Sequence, residues 1–185
     1  MNLGFRMHAE RTPNPNSIKW ILGRPIVEAA ASVSFESQPA KEVSPLAHRL
    51  FQIDGVVGVF FAENFATISK RDDLEWTEIS QPIIDALKRQ LESGEPVLGP
   101  GYDTMPAVAD EELTVRICRL LDEKIRPAVM QDGGDIIFSG YRDGVVEIQM
   151  CGACLGCPSA TATLKLAVES RLRDEIPEVR KVVAI

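Results

Sequence analysis

The sequence predicts an α+β protein made of two small domains joined by a Gly/Pro-rich linker. Two stretches of the chain combine the alternating apolar pattern of strands with the apolar spacing of amphipathic helices, and the segment between them has neither pattern. We therefore place the domains at residues 10–93 and 110–185, with the linker at 94–109. A chain of 185 residues with 45% hydrophobic content is long enough to bury a core in each domain.

The first predicted domain opens on a turn, because residues 12–17 combine two prolines with asparagines. A short helix is expected to start at Ser44-Pro45, where a hydroxyl cap precedes a proline at the first helical position. Apolar residues at helical spacing from Ile79 to Leu91 predict a second, amphipathic helix. Strands are expected at 18–22, 31–35, 56–61 and 66–69, the last two forming a hairpin.

The second predicted domain begins with a helix from about Asp110, which Pro127 is expected to kink or end. Asp132-Gly133-Gly134-Asp135 predicts a tight turn, because glycines suit positive φ angles and aspartates bond nearby backbone N–H groups. The remaining elements are expected to be strands at 136–141 and 145–150, a helix at 161–175 and a strand at 179–185. This order predicts a small sheet with helices packed on it.

Charge and hydropathy exclude several functions. The formal net charge is −7, which argues against a nucleic-acid partner and against an anionic membrane surface. No run of 18 apolar residues predicts a membrane span. The first residues lack the pattern of a signal peptide, and domain sequence is expected from about Glu10, which leaves no room for a transit peptide. We therefore predict a cytoplasmic protein of bacterial type rather than a protein of the mitochondrial matrix.

Three of the four cysteines lie together, at the junction of a predicted strand and a predicted helix. Cys151, Cys154 and Cys157 are separated by two residues each, a spacing that lets neighbouring sulfurs converge on one metal centre or form a disulfide. The N-terminus of a helix favours the thiolate form, which both metals and disulfide exchange require. Gly152 and Gly156 let a bulky inorganic group approach the backbone. We expect this loop to be solvent-reachable and to contribute little to the core.

Several interpretations of the cysteines remain open at this point. They are core residues of no chemical role, a zinc site, a thiol–disulfide redox pair of Cys154 and Cys157, or an iron–sulfur site. A zinc site would need a fourth ligand or a second chain, because no histidine lies nearby. The fourth cysteine, Cys118, lies at the edge of a predicted buried helix face and is interpreted as a small apolar core residue.

Motifs in both domains resemble one family. Residues 110–185 resemble the C-terminal domain of NifU and the Nfu proteins, and residues 11–93 resemble the Nfu N-terminal domain. The motifs that carry the first resemblance are Ile125-Arg126-Pro127, Asp132-Gly133-Gly134-Asp135-Ile136, Gly152-Ala153-Cys154-Leu155-Gly156-Cys157-Pro158-Ser159 and Ile176-Pro177-Glu178-Val179. The second resemblance rests on Thr12-Pro13-Asn14-Pro15-Asn16-Ser17, Ser44-Pro45-Leu46-Ala47 and Leu50 to Val56.

The resemblance implies an iron–sulfur cluster scaffold or carrier that is not an enzyme. It implies a [4Fe–4S] cluster, with [2Fe–2S] as the alternative, held by a C-x-x-C motif that falls on Cys154 and Cys157. The implied partners are upstream cluster-assembly proteins and apo iron–sulfur clients. A cubane takes four thiolates and the motif supplies two, so we expect a homodimer bridged by the cluster. Cys151 departs from the family pattern, which leaves a third ligand in each chain as an alternative.

Overall fold

A computed structural model describes residues 7–28, 32–102, 112–155 and 158–185 of the chain. These residues form helices and sheets that confirm the predicted α+β class. The chain divides into two compact units: Met1–Thr104 is the first unit and Met105–Ile185 is the second unit. Within the described residues, no helix has both the length and the apolar character needed to cross a membrane.

The first unit is a five-stranded antiparallel sheet with helices on one face. The strands lie in the order β1-β2-β5-β4-β3. Buried residues of helices α1 and α2 pack with residues of the central strands, such as Phe61 and Ile68, to form one apolar core. The elements are β1 (His8–Arg11), β2 (Ser17–Ile21), β3 (Ser32–Phe35), α1 (Pro45–Leu50), β4 (Val56–Ala62), β5 (Phe65–Lys70) and α2 (Trp76–Ser93).

Helix α1 begins where the sequence predicts. The hydroxyl of Ser44 accepts a hydrogen bond from the backbone N–H of Ala47 at 3.2 Å, and Pro45 occupies the first helical position. The same hydroxyl donates to the carbonyl of Val97 at 2.7 Å. Ser44 therefore ties the start of α1 to the segment that follows α2.

The described part of the predicted linker, residues 94–102, is bonded to the first unit. The backbone N–H of Gly99 donates to Val43 at 2.9 Å, and that of Gly101 donates to Glu42 at 2.8 Å. Val97 is buried in the core of the same unit. Residues 103–109 of the predicted linker lie outside the described residues.

The second unit is a three-stranded sheet with its helices packed on one face. Strands β6 and β7 are antiparallel, and β8 pairs parallel with β7. Its core joins Ile136, Ile148 and Val182 of the sheet to buried residues of every described helix in the unit. The elements are α3 (Glu112–Leu120), a π-helical turn (Leu121–Ile125), α4 (Arg126–Gln131), β6 (Gly134–Arg142), β7 (Val145–Gly152), α5 (Pro158–Glu175) and β8 (Lys181–Ala184).

The first helix of this unit does not end at Pro127, as the sequence suggests it could. A π-helical turn ends at Ile125, two residues before the proline, and the helix then continues as α4 from Arg126 to Gln131. In this turn the backbone N–H of Arg126 donates to the carbonyl of Leu121, five residues earlier. Pro127 has no N–H to donate, and the wider turn takes up the mismatch without breaking the helix.

The hairpin of β6 and β7 is closed by the two residues Asp143 and Gly144. Both have positive φ angles, of 50° and 82°, which are typical of the turns that match the twist of a hairpin. At the opposite end of the hairpin, β6 starts and β7 stops beside the cysteines. The hairpin therefore carries the glycine-rich segment and the cysteine-rich segment to the same end of the sheet.

Candidate metal centre

The predicted site lies on the cysteine loop, residues 153–157, which joins β7 to α5. Strand β7 ends at Gly152, which has a φ of 64°, and the N–H of Leu155 donates back to the Gly152 carbonyl at 3.1 Å. Helix α5 starts at Pro158, directly after Cys157. The sequence correctly predicts that the C-x-x-C pair leads into a helix N-terminus.

Cys157 lies outside the described residues, and its part in the site stays a prediction. Cys154 is described, and its position differs from the expectation of an exposed loop. Its residue is only 6% exposed, and its side chain belongs to the apolar core of the second unit. The expectation is wrong because Ala153 and Cys154 fold inward onto the start of β6, while Leu155 is left at the surface.

The loop is held by the glycine turn, Asp132 and Gly133, and by Gly134, the first residue of β6. The N–H of Ala153 donates to the Gly133 carbonyl at 3.1 Å, and Gly134 pairs with Gly152 across the sheet. Gly133 has a φ of 79°, a conformation that side chains other than glycine rarely adopt. Only Asp132 and Gly133 form the predicted turn, since Gly134 and Asp135 already belong to β6. The turn is therefore also a support for the cysteine loop.

Gly134 lies next to the thiol of Cys154, one of the two candidate ligands. A β-carbon added at this position would lie 2.4 Å from the Cys154 Sγ and 2.9 Å from the Cys151 carbonyl oxygen. Such a distance to sulfur is far below van der Waals contact. The absence of a side chain at Gly134 thus provides the space in which the Cys154 thiol lies.

A buried ion pair stands next to this contact. Asp135 has no exposed surface, and its two carboxylate oxygens accept from Arg126, Oδ1 from Nε at 2.8 Å and Oδ2 from Nη2 at 2.6 Å. Its Oδ1 also accepts from the N–H of Ile136 at 2.7 Å. Arg126 further donates to Asp122 at 2.9 Å. The hydrogen bonds that Arg126 donates to Asp135 raise the pKa of Arg126 above its ordinary value, although burial opposes this shift.

The bidentate pair fixes the first residues of β6. A guanidinium fork and a carboxylate match in geometry, so the pair restrains orientation as well as distance. Arg126 lies at the start of α4 and Asp135 at the start of β6, and the pair therefore links the π-helical turn to the strand that supports the cysteine loop. Within the pair, the charges of Arg126 and Asp135 compensate each other.

Cys151 lies on β7 directly opposite Asp135. Alternation along the strand places it on the face opposite to Met150, as the sequence predicts. However, it is only 1% exposed, unlike its neighbours Glu147 and Gln149 on the same face. Within the described ranges, no group of three His, Cys, Asp or Glu residues is arranged to hold a metal ion. The role of Cys151 as a third ligand remains an alternative.

Cys118 lies on α3 and is partly buried, close to the prediction of a small core thiol. Burial raises the pKa of this thiol, and the nearby charge of Asp122 raises it further. Both effects disfavour the thiolate that a metal would need. The position of Cys118 therefore supports a structural interpretation.

Three residues that shape the site were not predicted from the sequence: Arg126, Asp135 and Gly134. The two motifs that contain them carry part of the family resemblance, but their spacing gave no reason to connect them with the cysteines. The only usable signal was the second glycine of Asp132-Gly133-Gly134-Asp135, because one glycine suffices for the turn.

Two family models match the chain, one for each unit. The model described as the scaffold protein Nfu/NifU N-terminal domain matches residues 7–94, and the NifU-like domain model matches residues 117–183. The order of the two matches agrees with the resemblance drawn from the motifs.

Curated relatives match both units together. A protein of Drosophila erecta named NFU1 iron-sulfur cluster scaffold homolog, mitochondrial, is 41% identical over 179 residues, which is 95% of this chain and 63% of the relative. A Drosophila virilis protein of the same name is 40% identical, and 60% of its length is matched. The chain thus spans less than two thirds of the length of these relatives. A solution structure of a NifU-like protein from Saccharomyces cerevisiae is 28% identical, with a TM-score of 0.48, and the match covers 54% of this chain and 91% of that one.

The names of the relatives contradict one prediction from the sequence. Both Drosophila relatives are named as mitochondrial proteins, so the prediction of a bacterial cytoplasmic protein is wrong by this comparison. That prediction rested on the absence of a targeting pattern in the first residues, and such an absence is weak evidence of compartment.

Proposed function

Because the chain belongs to the Nfu/NifU family of iron–sulfur cluster scaffold proteins, we propose that it is a non-catalytic carrier of an iron–sulfur cluster. In this proposal Cys154 and Cys157 bind the cluster, which is then delivered to apo-proteins. The observation that carries the proposal is the cysteine loop itself, with a C-x-x-C pair placed between the end of β7 and the start of α5.

The chemistry of the loop suits a cluster that is bound and released. Thiolates are the usual ligands of iron–sulfur clusters, and the N-terminal end of the 18-residue helix α5 favours negative charge at this point of the chain. Glycines at 152 and 156 reduce steric obstruction around the pair. The Arg126–Asp135 pair holds the adjoining strand, so that the ligands are mounted on a rigid base.

The number of ligands determines the proposed assembly. A [4Fe–4S] cluster is normally held by four cysteine thiolates, whereas the C-x-x-C pair supplies two. Two copies of the chain related by a two-fold axis complete the set. The alternative is that Cys151 joins the pair within one chain and a client or small-molecule thiol supplies the fourth ligand.

The relatives' names also bear on where the carrier works and what it meets. Proteins named as mitochondrial scaffold homologs support a mitochondrial setting for this chain. The partners proposed are the assembly proteins that supply the cluster and the apo-proteins that accept it. Acceptor cysteines then replace Cys154 and Cys157 as ligands, which is an exchange of thiolates without net redox change.

Anaerobic reconstitution with iron and sulfide tests the proposal. Cys154→Ser and Cys157→Ser are each expected to lose the visible charge-transfer absorption and the bound iron, because each removes one of the proposed ligands. Cys118→Ser is the matched control and should load like the parent, since Cys118 lies on α3. Circular dichroism is needed for Cys154→Ser, because this residue is buried. A folded parent without absorption would overturn the proposal in favour of a redox or zinc role.

The mass of the loaded form tests the assembly. We expect a dimer with about two irons per chain, whereas the cluster-free chain should be largely monomeric. A loaded monomer with about four irons per chain, lost on Cys151→Ser, would instead establish the three-cysteine alternative.

A further inference from the structure

The Cys154 thiol faces the inside of the second unit, where Gly134 leaves room for it. We propose that Gly134 is a positioning residue: the notch left by its missing side chain stores the Cys154 thiol inside the protein while no cluster is bound. This inference rests on the proposed role of Cys154 as a ligand, but the position of the thiol can be tested without any cluster.

Glycine at position 134 is explained by the atoms that a side chain would meet there and not by the φ angle of the residue. Gly133, Gly144 and Gly152 have positive φ angles that favour glycine, whereas Gly134 does not. A β-carbon at Gly134 would lie 2.4 Å from the Cys154 Sγ. Any other residue would therefore have to push the sulfur, or the strand, out of its present place.

The walls of the notch are fixed independently of the thiol. Gly134 pairs with Gly152 across the hairpin, and the Gly133 carbonyl accepts from Ala153 at 3.1 Å. The residue after Gly134 is Asp135, which is held by the bidentate bonds from Arg126. The hydrogen bonds thus define the space, and Cys154 occupies it.

The stored position and the binding position of the thiol must differ. A residue that is 6% exposed and packed in the apolar core offers too little surface for its sulfur to join a cluster that two chains share without moving. The thiol has to leave the notch before it becomes a ligand. In the cluster-free protein, burial then protects the Cys154 thiol from oxidants and from unsuitable metal ions, which attack exposed thiolates.

Alkylation of the cluster-free protein measures the stored position directly. Iodoacetamide is added under reducing, anaerobic conditions, and the modified Cys154 is quantified over time by peptide mass spectrometry. We expect Cys154 to react at least about tenfold more slowly in the folded chain than in urea, because reaction requires a local opening. Equal rates in the folded and the unfolded chain would overturn the proposal.

Gly134→Ala tests the cause of this protection. The variant should raise the alkylation rate of Cys154 at least about fivefold, because the added methyl group displaces the sulfur. Gly140→Ala is the matched control on the same strand, since its β-carbon would lie 3.4 Å from the movable Glu147 Oε2, and it should react like the parent. A folded Gly134→Ala protein with full protection of Cys154 would refute the role of the notch.

A double-mutant cycle decides the case in which Gly134→Ala is too unstable to assay. In a Cys154→Ala background, the loss of melting temperature caused by Gly134→Ala should be at least halved, because the sulfur no longer opposes the methyl group. An equal loss in both backgrounds would mean that backbone atoms are the obstacle, the Cys151 carbonyl oxygen at 2.9 Å or the Cys154 nitrogen at 3.2 Å from the added carbon, and the proposal would be wrong. Failed cluster reconstitution with intact Cys154 protection would refute the carrier function alone.

Discussion

The two units share one plan, helices on one face of a sheet, but they use buried polar groups differently. In the first unit, Ser44 and Asn14 bond backbone groups at a helix start and a turn, and Gln90 bonds the Glu95 carbonyl after α2. In the second unit, Asp135 bonds the side chain of Arg126 beside the cysteine loop. These three residues of the first unit thus fix a helix start, a turn and the segment after α2, whereas Asp135 of the second unit lies beside the candidate site. Departures from simple packing rules are expected where function requires them.

The largest expected effect is the removal of the buried carboxylate in the second unit. Asp135→Ala removes the bidentate partner of the Arg126 guanidinium but keeps its bond to the exposed Asp122, and breaking a buried pair costs up to about 3 to 5 kcal/mol. The second unit should therefore unfold at lower denaturant concentration, while the first unit keeps its transition. Denaturant unfolding followed by circular dichroism measures this difference.

The exposed pair of Arg119 and Glu123 provides the control for this prediction, because it lies on the same continuous helix as Arg126. Glu123→Gln should leave the unfolding curve unchanged, because pairs at the surface contribute little. If Asp135→Ala were equally silent, the buried pair would have no role in holding β6, and the contrast between the two units would lose its basis.

A smaller effect is expected in the first unit from Ser44→Ala. The substitution removes the cap of α1 and also the hydrogen bond to Val97, for a loss of about 1 to 2 kcal/mol. The tryptophans of the chain, Trp20 and Trp76, both lie in the first unit, so their fluorescence reports its unfolding selectively.

Cluster loading by Ser44→Ala should equal that of the parent, because the cap lies in the unit without cysteines. Reduced iron content in a folded Ser44→Ala protein would show that the first unit affects the site. The first unit could then no longer be regarded as separate from the candidate site in the second unit.

The smallest expected effect comes from removing the first unit altogether. A fragment of residues 105–185 contains the whole apolar core of the second unit and should take up as much iron per chain as the full chain. Iron and sulfide analysis after anaerobic reconstitution provides the measurement. A fragment that folds but does not load would mean that the site requires residues of the first unit.

Elements governed by neighbouring residues could be predicted from the sequence. The start of α1 follows from Ser44-Pro45, and the turn of the second hairpin contains Asp143-Gly144, where local preferences dictate the backbone. Strand β1 was not predicted, because all four of its residues are exposed and no apolar alternation reveals it. It forms because β2 offers it a complete antiparallel register.

The candidate site was only partly predictable, because its key contacts join residues distant in sequence. The C-x-x-C pair and the helix after it are visible as a local pattern, and the sequence predicts them together. The contact between Gly134 and Cys154 depends on hairpin register, and the pair of Arg126 and Asp135 depends on the π-helical turn. Neither dependence leaves a periodic signal in the sequence, and so the burial of Cys154 is not predicted from it.

The π-helical turn also affects how this helix tolerates changes of length. In an unbroken α-helix, Ile117 and Val129 would point about 120° apart, because each residue turns the chain by about 100°. Both are nevertheless buried in one core. If one residue fewer separated Ile117 from Val129, their side chains would point only about 20° apart on a regular helix.

The turn therefore behaves as a site where one residue has been added without rotating the buried face away from the sheet. Deleting the exposed Lys124 should convert the segment into a regular α-helix with the same face inward. An addition or deletion of one residue elsewhere in α3 or α4 would instead exchange buried for exposed positions. Variation in helix length among related chains is thus expected to concentrate at residues 121–125, where a change in the number of residues is geometrically neutral for the core.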